Sequence, residues 1–222
     1  MTRITLARRD RRRAILMAAL ECFTTHSVIA TTIAEIRAKA GASIGSLYHH
    51  FGSKEALAAE LYLEGLREYQ RGFVARLRRH RLAEDGIKGM VAYHVDWIRK
   101  HQVWARYLLH MREAEFLLTG EEGLRALNQG FSMDLRAWLA PHVKAETVVD
   151  LPVDLLLAIV LGPAQMLARQ WLAGRASITP EDGRRVLARA AWNALRGPGC
   201  RASLGGPLAS RRPGRRLAGD ES

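Results

Sequence analysis

Between residues 43 and 54 the chain carries side chains suited to contacting a polyanion. Hydroxyl, imidazole and ammonium groups there can donate hydrogen bonds to phosphate oxygens, and the residues that bear them are Ser43, Tyr48, His49 and Lys54. Gly45 and Ser46 add little bulk, so the backbone at that point could approach a partner closely. The face that carries them has no carboxylate to repel an anion. These residue types indicate contacts with phosphate groups.

Two short helices joined by a tight turn must position these side chains. Thr32-x-x-Glu35 is a capping-box pattern that begins the first helix, and Gly41 ends it as a residue tolerant of positive φ. Ser43 is placed to cap the second helix. Leu47 and Phe51, four residues apart, point inward and anchor that second helix.

The two helices form a predicted helix-turn-helix. In that motif the second helix enters the major groove of DNA while the first crosses the backbone. The stretch supplies small turn residues, apolar residues that fix the angle between the helices, and a second helix with short polar side chains. Ser53 then caps a long third helix that runs to about residue 79 or 80, and its N-terminus is itself an anion site. Double-stranded DNA is therefore the predicted partner.

The charge of the chain supports a polyanionic partner. Lys and Arg outnumber Asp and Glu by 34 to 22, which gives a net charge of +12. Residues 1–54 hold nine of the basic and three of the acidic residues, so half of the net charge sits on a quarter of the chain. Residues 1–10 are predicted to be a flexible basic arm. A further helix is predicted before the helix-turn-helix, from residue 10 to about residue 25. Arg11, Arg12 and Arg13 oppose the helix dipole in its first turn, which favours a role in binding the partner.

The rest of the chain also predicts helices, so the fold class is all-α. Apolar residues recur at helical spacing over residues 85–100, 102–112, 121–140, 152–173 and 180–196. Gly162-Pro163 predicts a kink or break inside one of these segments, while Thr179-Pro180 is a strong start signal for the last. Residues 197–222 are rich in Gly, Pro and Arg and are predicted to be a disordered basic tail.

Several classes of protein lack support in the sequence. Cys22 and Cys200 have no metal-ligand spacing, and Cys22 is predicted to be a buried thiol. The most apolar stretch, Val153–Leu161, is too short to span a bilayer, and we predict a cytoplasmic protein without a signal peptide. No P-loop, HExxH or G-x-G-x-x-G motif occurs, so neither an enzyme nor a cofactor is predicted. The adjacent His49 and His50 diverge on a helix, which disfavours a metal site.

Residues 11–62 resemble the DNA-binding domain of the TetR family of transcriptional regulators. The resemblance includes the apolar first helix, TTIAEI, the AGAS turn, SLYHHF and the following GSKEAL. It implies a helix-turn-helix head at residues 11–52 and a helical ligand-binding and dimerisation domain at residues 53–196. One departure is His26-Ser27, where the family usually has a glycine that closes the first helix.

The resemblance also assigns contacts to matching positions. It implies phosphate contacts from Thr32, Tyr48 and Lys54, and groove contacts from Ser43, Ile44, Gly45, Ser46 and His49. It further implies a homodimer formed through the helices near residues 152–173 and 180–196. The corresponding function is a dimeric repressor that a small molecule releases from a palindromic operator. A basic architectural protein that coats DNA without sequence preference is the alternative.

A regulator with a small-molecule effector needs an apolar cavity lined by a few polar groups. The aromatic, methionine and amide side chains that we predict to line it are Tyr93, Trp97, Tyr107, Met111, Phe116, Phe131 and Gln165. The alternative is that these side chains fill the core. Arg169 could bind an anionic ligand or form a salt bridge at the dimer interface.

Overall fold

The computed structural model describes residues 3–110 and 120–199, and side chains within residues 10–109 and 120–199. The described residues form nine helices and no strand, which confirms the all-α fold. Their bounds are α1 Arg3–Ala30, α2 Ile33–Ala40, α3 Ile44–Phe51, α4 Lys54–Leu77, α5 Ala83–Lys100, α6 Gln102–His110, α7 Glu121–Lys144, α8 Val153–Leu172 and α9 Pro180–Leu195.

Helices α1 to α3 pack with the first half of α4 into a head with its own core. Ile15, Leu20 and Phe23 of α1 are almost fully buried, and so are Ile36 of α2 and Leu47 of α3. Cys22 is also buried and is a free thiol, as predicted. Helices of eight residues, such as α2 and α3, are marginal in isolation, so this shared core stabilises them.

The first helix differs from its prediction at both ends. It begins at Arg3, so residues 3–10 are helical, and the flexibility of this arm stays a prediction. It also extends beyond residue 25 to Ala30, across a kink at Ser27 where φ is 70° and ψ is 164°. Glycine alone adopts this backbone region readily, which explains why the family usually has a glycine there.

The second half of α4 and helices α5, α7, α8 and α9 form a larger body. Its core includes Ile87 and Met90 of α5, Leu135 of α7, Leu156 of α8 and Leu195 of α9. The C-terminal end of α9 is tied to the loop after α7 by two backbone bonds, Val149 N–H to Leu195 O and Gly197 N–H to Thr147 O, each 2.9 Å long. The predicted disordered tail began at residue 197, but Gly197 and Gly199 are held by backbone bonds to Thr147 and Glu146. The rest of the predicted tail, from residue 200 onward, lies outside the described residues.

Helix α8 has almost its predicted bounds and is more regular than predicted. It runs unbroken from Val153 to Leu172 through Gly162-Pro163, so the predicted break is absent. By length and composition alone, Val153–Leu172 and Asp10–Ala30 could each cross a membrane. The second of these is the central helix of the head. In α8 only 22% of the apolar window is buried, so much of its apolar surface faces outward.

Helix α6 connects the head to the body. The buried Tyr107 donates its hydroxyl to Ala58 O at 2.8 Å, and its ring stacks on Phe23 with the centroids 6.2 Å apart. On the other side of α6, Ala105 packs with Trp97 and Ala168 of the body. A shift of α6 would therefore act on both parts of the molecule.

Candidate nucleic-acid interface

The N-terminus of α2 is fixed by the predicted capping box. Thr32 Oγ1 accepts from Glu35 N at 3.2 Å, and Thr32 N donates to Glu35 Oε2 at 2.7 Å. The Thr32 hydroxyl also donates to Glu35 Oε2 at 2.9 Å. The Glu35 carboxylate accepts hydrogen bonds from the backbone and the side chain of Thr32. These two bonds, the backbone bond more than the side-chain bond, lower the pKa of Glu35. A phosphate contact from Thr32 would replace the hydroxyl bond to this carboxylate.

The turn between α2 and α3 follows the predicted chemistry. Gly41 lies in the left-handed region at φ 58°, and Ser43 caps α3 by accepting from Ser46 N at 3.1 Å. That bond uses the Ser43 oxygen as acceptor, so its hydroxyl hydrogen can still donate. Leu47 and Phe51 are 0% and 9% exposed, which confirms them as the anchors of the helix.

With its inner side fixed, α3 turns its remaining side chains outward. Ile44 is 53% exposed and Tyr48 is 49% exposed, one turn apart on the same flank. Gly45 and His49 are also exposed, on the side opposite Leu47. Ser46 lies on the other flank and is half-buried. The structure therefore places all the residues that were predicted to contact the groove on or at the tip of one exposed helix.

Lys54 has a second role that the sequence did not indicate. Its Nζ donates to Ile29 O at 3.1 Å and to Thr31 O at 2.9 Å. An ammonium group has three donors, so one remains for a phosphate. Lys54 therefore joins the start of α4 to the end of α1, directly before Thr32.

Two arginines of α1 make contacts within the head that the sequence did not indicate. Arg12 lies 2.6 Å from Glu60 and 3.5 Å from Glu64 of α4, and its guanidinium lies 5.3 Å from the centroid of the Phe51 ring. Arg11 donates to Gly41 O at 2.7 Å. Both arginines thus hold the head together, a role that the sequence did not predict, and their predicted role in binding a partner stays a prediction. The residues they bind lie about 30 to 50 positions away, so no local pattern could have revealed these contacts.

The residues predicted to line a ligand cavity fall into separate places. Tyr93, Trp97 and Phe131 surround two aromatic residues of α4: Tyr69 is 5.6 Å from Tyr93 and 5.2 Å from Trp97, and Phe73 is 5.3 Å from Phe131, centroid to centroid.

The other predicted cavity residues lie apart from this cluster. Tyr107 lies in the contact between α6 and the head, where it packs with Phe23. Gln165 is half-buried on α8. Met111 and Phe116 lie outside the described residues. Arg169 is exposed and donates to Leu109 O at 3.4 Å.

Two polar pairs beside the aromatic cluster, each with one buried member, were missed from the sequence. The hydroxyl of Tyr69 is 2.8 Å from Nδ1 of His94, and Gln70 donates to Asn128 at 3.0 Å. His94 and Gln70 are each 7% exposed. Burial lowers the pKa of His94 to about 4, so its ring is neutral near pH 7. Nε2 of His94 has no hydrogen-bond partner among the described residues. These pairs could have been suspected only from the rarity of polar residues on an apolar helix face.

A groove of about 680 Å³ lies at the end of the body where α7 meets α8. Arg136, Lys144 and Asp150 stand among apolar residues such as Leu139 and Leu156. Of the predicted ligand-binding residues that the structure describes, none lines this groove.

Residues 15–61 match the sequence model of the bacterial regulatory proteins of the tetR family. The HTH-type transcriptional repressor AcnR of Corynebacterium jeikeium is 34% identical over 59 residues, which are 27% of this chain and 31% of AcnR. The match thus spans about a third of that curated relative.

Solved structures resemble almost the whole described chain. A TetR family regulator of Marinobacter aquaeolei VT8 has a TM-score of 0.72 at 19% identity and covers 85% of this chain and 96% of its own. FadR from Bacillus subtilis, solved with stearoyl-CoA, has a TM-score of 0.70 at 14% identity and covers 83% and 99%. At these identities the likeness concerns the fold.

The fold and the exposed α3 define an all-helical protein with a helix-turn-helix head. The family match confirms the resemblance predicted for residues 11–62: residues 15–61 form a DNA-binding domain of the tetR family, and the described chain has the fold of solved TetR family regulators.

Proposed function

We propose that this chain is a ligand-responsive repressor that binds a palindromic operator in double-stranded DNA as a cytoplasmic homodimer. The observation that carries the proposal is α3, which is anchored by Leu47 and Phe51 and exposes Ile44 and Tyr48 beside a basic head. In a helix-turn-helix, this exposed side enters the major groove. The match to AcnR, named a repressor, supports the direction of regulation.

An outward apolar stripe supports the homodimer. On α8, Leu155, Ile159, Gly162 and Met166 follow one another at intervals of four, three and four residues, so they share one face. Leu155 is 48% exposed and Met166 is 62% exposed. On the neighbouring α9, Val186 is also 62% exposed. Exposed apolar faces of this kind mark contact surfaces, and a second copy of these two helices would complete a four-helix bundle.

The contacts of α4 support coupling between an effector and the head. The second half of α4 contributes Tyr69 and Gln70 to the two polar pairs. It also contributes Tyr69 and Phe73 to the aromatic cluster. Its first residue, Lys54, holds the end of α1. FadR of similar fold binds stearoyl-CoA, so the fold is compatible with a small-molecule ligand. An effector that binds one position of α4 better than the other would change the distance between the two heads of the dimer.

The DNA contacts are tested by Tyr48→Ala and Lys54→Ala in a gel-shift titration with the gene's own promoter region. Each should weaken binding by about tenfold or more, because a hydrogen bond to a charged group contributes about 1.5–3 kcal/mol and a dimer loses it twice. Lys100→Ala, which removes an exposed cation at the end of α5 in the body, is the control and should leave binding unchanged. The assignment is wrong if both head variants bind as tightly as the parent while their circular dichroism melts are normal.

The dimer surface is tested by Met166→Glu, which would place carboxylates against the partner's apolar stripe. Light scattering should show a monomer, and operator affinity should fall with it. Met133→Glu is the matched control because Met133 is 71% exposed on α7, outside the stripe. If Met166→Glu remains a dimer like Met133→Glu, α8 does not form the interface.

A further inference from the structure

The exposed side of α3 lacks the side chains that most often read bases. Its sequence, IGSLYHHF, contains no Arg, Lys, Asn or Gln. Arg and Lys are the usual readers of guanine, and Asn and Gln the usual readers of adenine, through paired hydrogen bonds in the major groove. Base recognition by this helix must therefore depend more on its other outward groups.

Ile44 is the large apolar group at the tip of this helix. It is the first residue of α3, follows the cap Ser43, and is 53% exposed even though Leu47 on the same helix is fully buried. The N-terminal residues of a recognition helix are those that contact base edges. Ile44 is not among the residues of the head core, so its exposed apolar surface is available to a partner.

The space beside Ile44 lets a base edge approach. The next residue is Gly45, and a Cβ atom built on it would meet nothing within 4 Å. The first turn of α3 therefore has little bulk on the side that faces away from Leu47, and the Ile44 side chain extends beyond the Gly45 backbone. The apolar group that DNA presents in the major groove is the 5-methyl group of thymine.

We infer that Ile44 is a specificity-determining residue that packs against the 5-methyl group of a thymine in each half-site. The inference rests on the proposed function, since it requires that α3 enters the major groove. It predicts that the operator carries one thymine per half-site whose methyl group, and not only its hydrogen-bonding edge, is recognised.

The test begins with the full-length protein and selection of bound duplexes from a random-sequence DNA pool. In the recovered site, each thymine is replaced in turn by uracil, which removes only the methyl group. At one position per half-site the replacement should weaken binding about fourfold, the equivalent of one buried methyl group. Uracil in the flanking DNA is the control and should have no effect.

The same replacements are then measured with Ile44→Ala and Ile44→Val. For Ile44→Ala the loss at the sensitive thymine should shrink to less than twofold, while Ile44→Val should keep part of it. The inference is overturned if no thymine is sensitive with the parent, or if Ile44→Ala is as sensitive as the parent. Recovery of no preferred site at all overturns the proposed function itself, and this inference with it.

Discussion

Replacing Ser27 with glycine should stabilise the head. Ser27 lies at φ 70° and ψ 164°, a region that costs a residue with a Cβ atom roughly 1–3 kcal/mol. Its backbone carbonyl accepts from Thr31 N at 3.2 Å and from Thr31 Oγ1 at 2.7 Å, and glycine would keep both bonds. Glycine would therefore relieve the strain without disturbing the junction between α1 and α2.

The gain is reduced by two smaller losses. Ser27 Oγ accepts from Ala30 N at 3.4 Å, a long bond, and exchanging a capping serine for glycine costs a few tenths of a kcal/mol. The freer unfolded chain of glycine costs roughly 0.5–1 kcal/mol more. The net expectation is a rise in the free energy of unfolding of about 1 kcal/mol, which corresponds to a melting temperature higher by about 2–4 °C for a chain of this size.

Urea unfolding followed by circular dichroism provides the measurement, with Ser53→Gly as the matched control. Ser53 is also a capping serine, but its φ is −145°, so the same exchange there relieves no strain and should destabilise the protein. If Ser27→Gly destabilises the protein as much as Ser53→Gly does, Ser27 is not strained and the account of the kink is refuted.

Three further predictions concern one buried histidine and two helical glycines. Burial lowers the pKa of His94 to about 4, while an unfolded histidine titrates near 6.5, so the unfolded state binds the extra proton as pH falls. The parent should therefore lose about 2 kcal/mol of stability between about pH 6.5 and pH 5. Urea unfolding at each pH measures this loss. His94→Gln should remove most of that loss, and an unchanged pH dependence would contradict the buried neutral ring. Gly65→Ala should destabilise the protein by about 1–3 kcal/mol, because its Cβ would lie 2.5 Å from Trp104 Cε3. Gly130→Ala, where a Cβ meets nothing within 4 Å, should instead stabilise α7 by up to about 1 kcal/mol. Thermal melts of the two glycine variants check both expectations.

The helices of the head, and the start of α9 in the body, could be predicted because their signals are local. A cap and its partner lie three residues apart, as in Thr32 with Glu35 and Thr179 with Asp182. A glycine at positive φ ends a helix without reference to the rest of the chain, as Gly41 does. Such short-range rules set the ends of α2, α3, α4 and α9.

The remaining features depend on contacts between distant residues. Arg12 looked like a DNA ligand until its partners Glu60 and Glu64 were brought beside it by the packing of α1 on α4. Tyr107 is an aromatic residue of the kind that lines ligand cavities, but its hydroxyl donates a hydrogen bond to Ala58 O in the head. Helical periodicity states which face is buried and not what it is buried against, so the ligand site could not be predicted from it.

The central claim is that α3 reads a particular DNA sequence, and competition binding tests it most directly. The affinity of the full-length protein for the selected site is compared with its affinity for random-sequence duplex at one fixed salt concentration. The proposed repressor should prefer its site by roughly 10³-fold or more. Equal affinity for both duplexes would contradict the claim and would identify instead a basic protein that coats DNA through phosphate contacts alone.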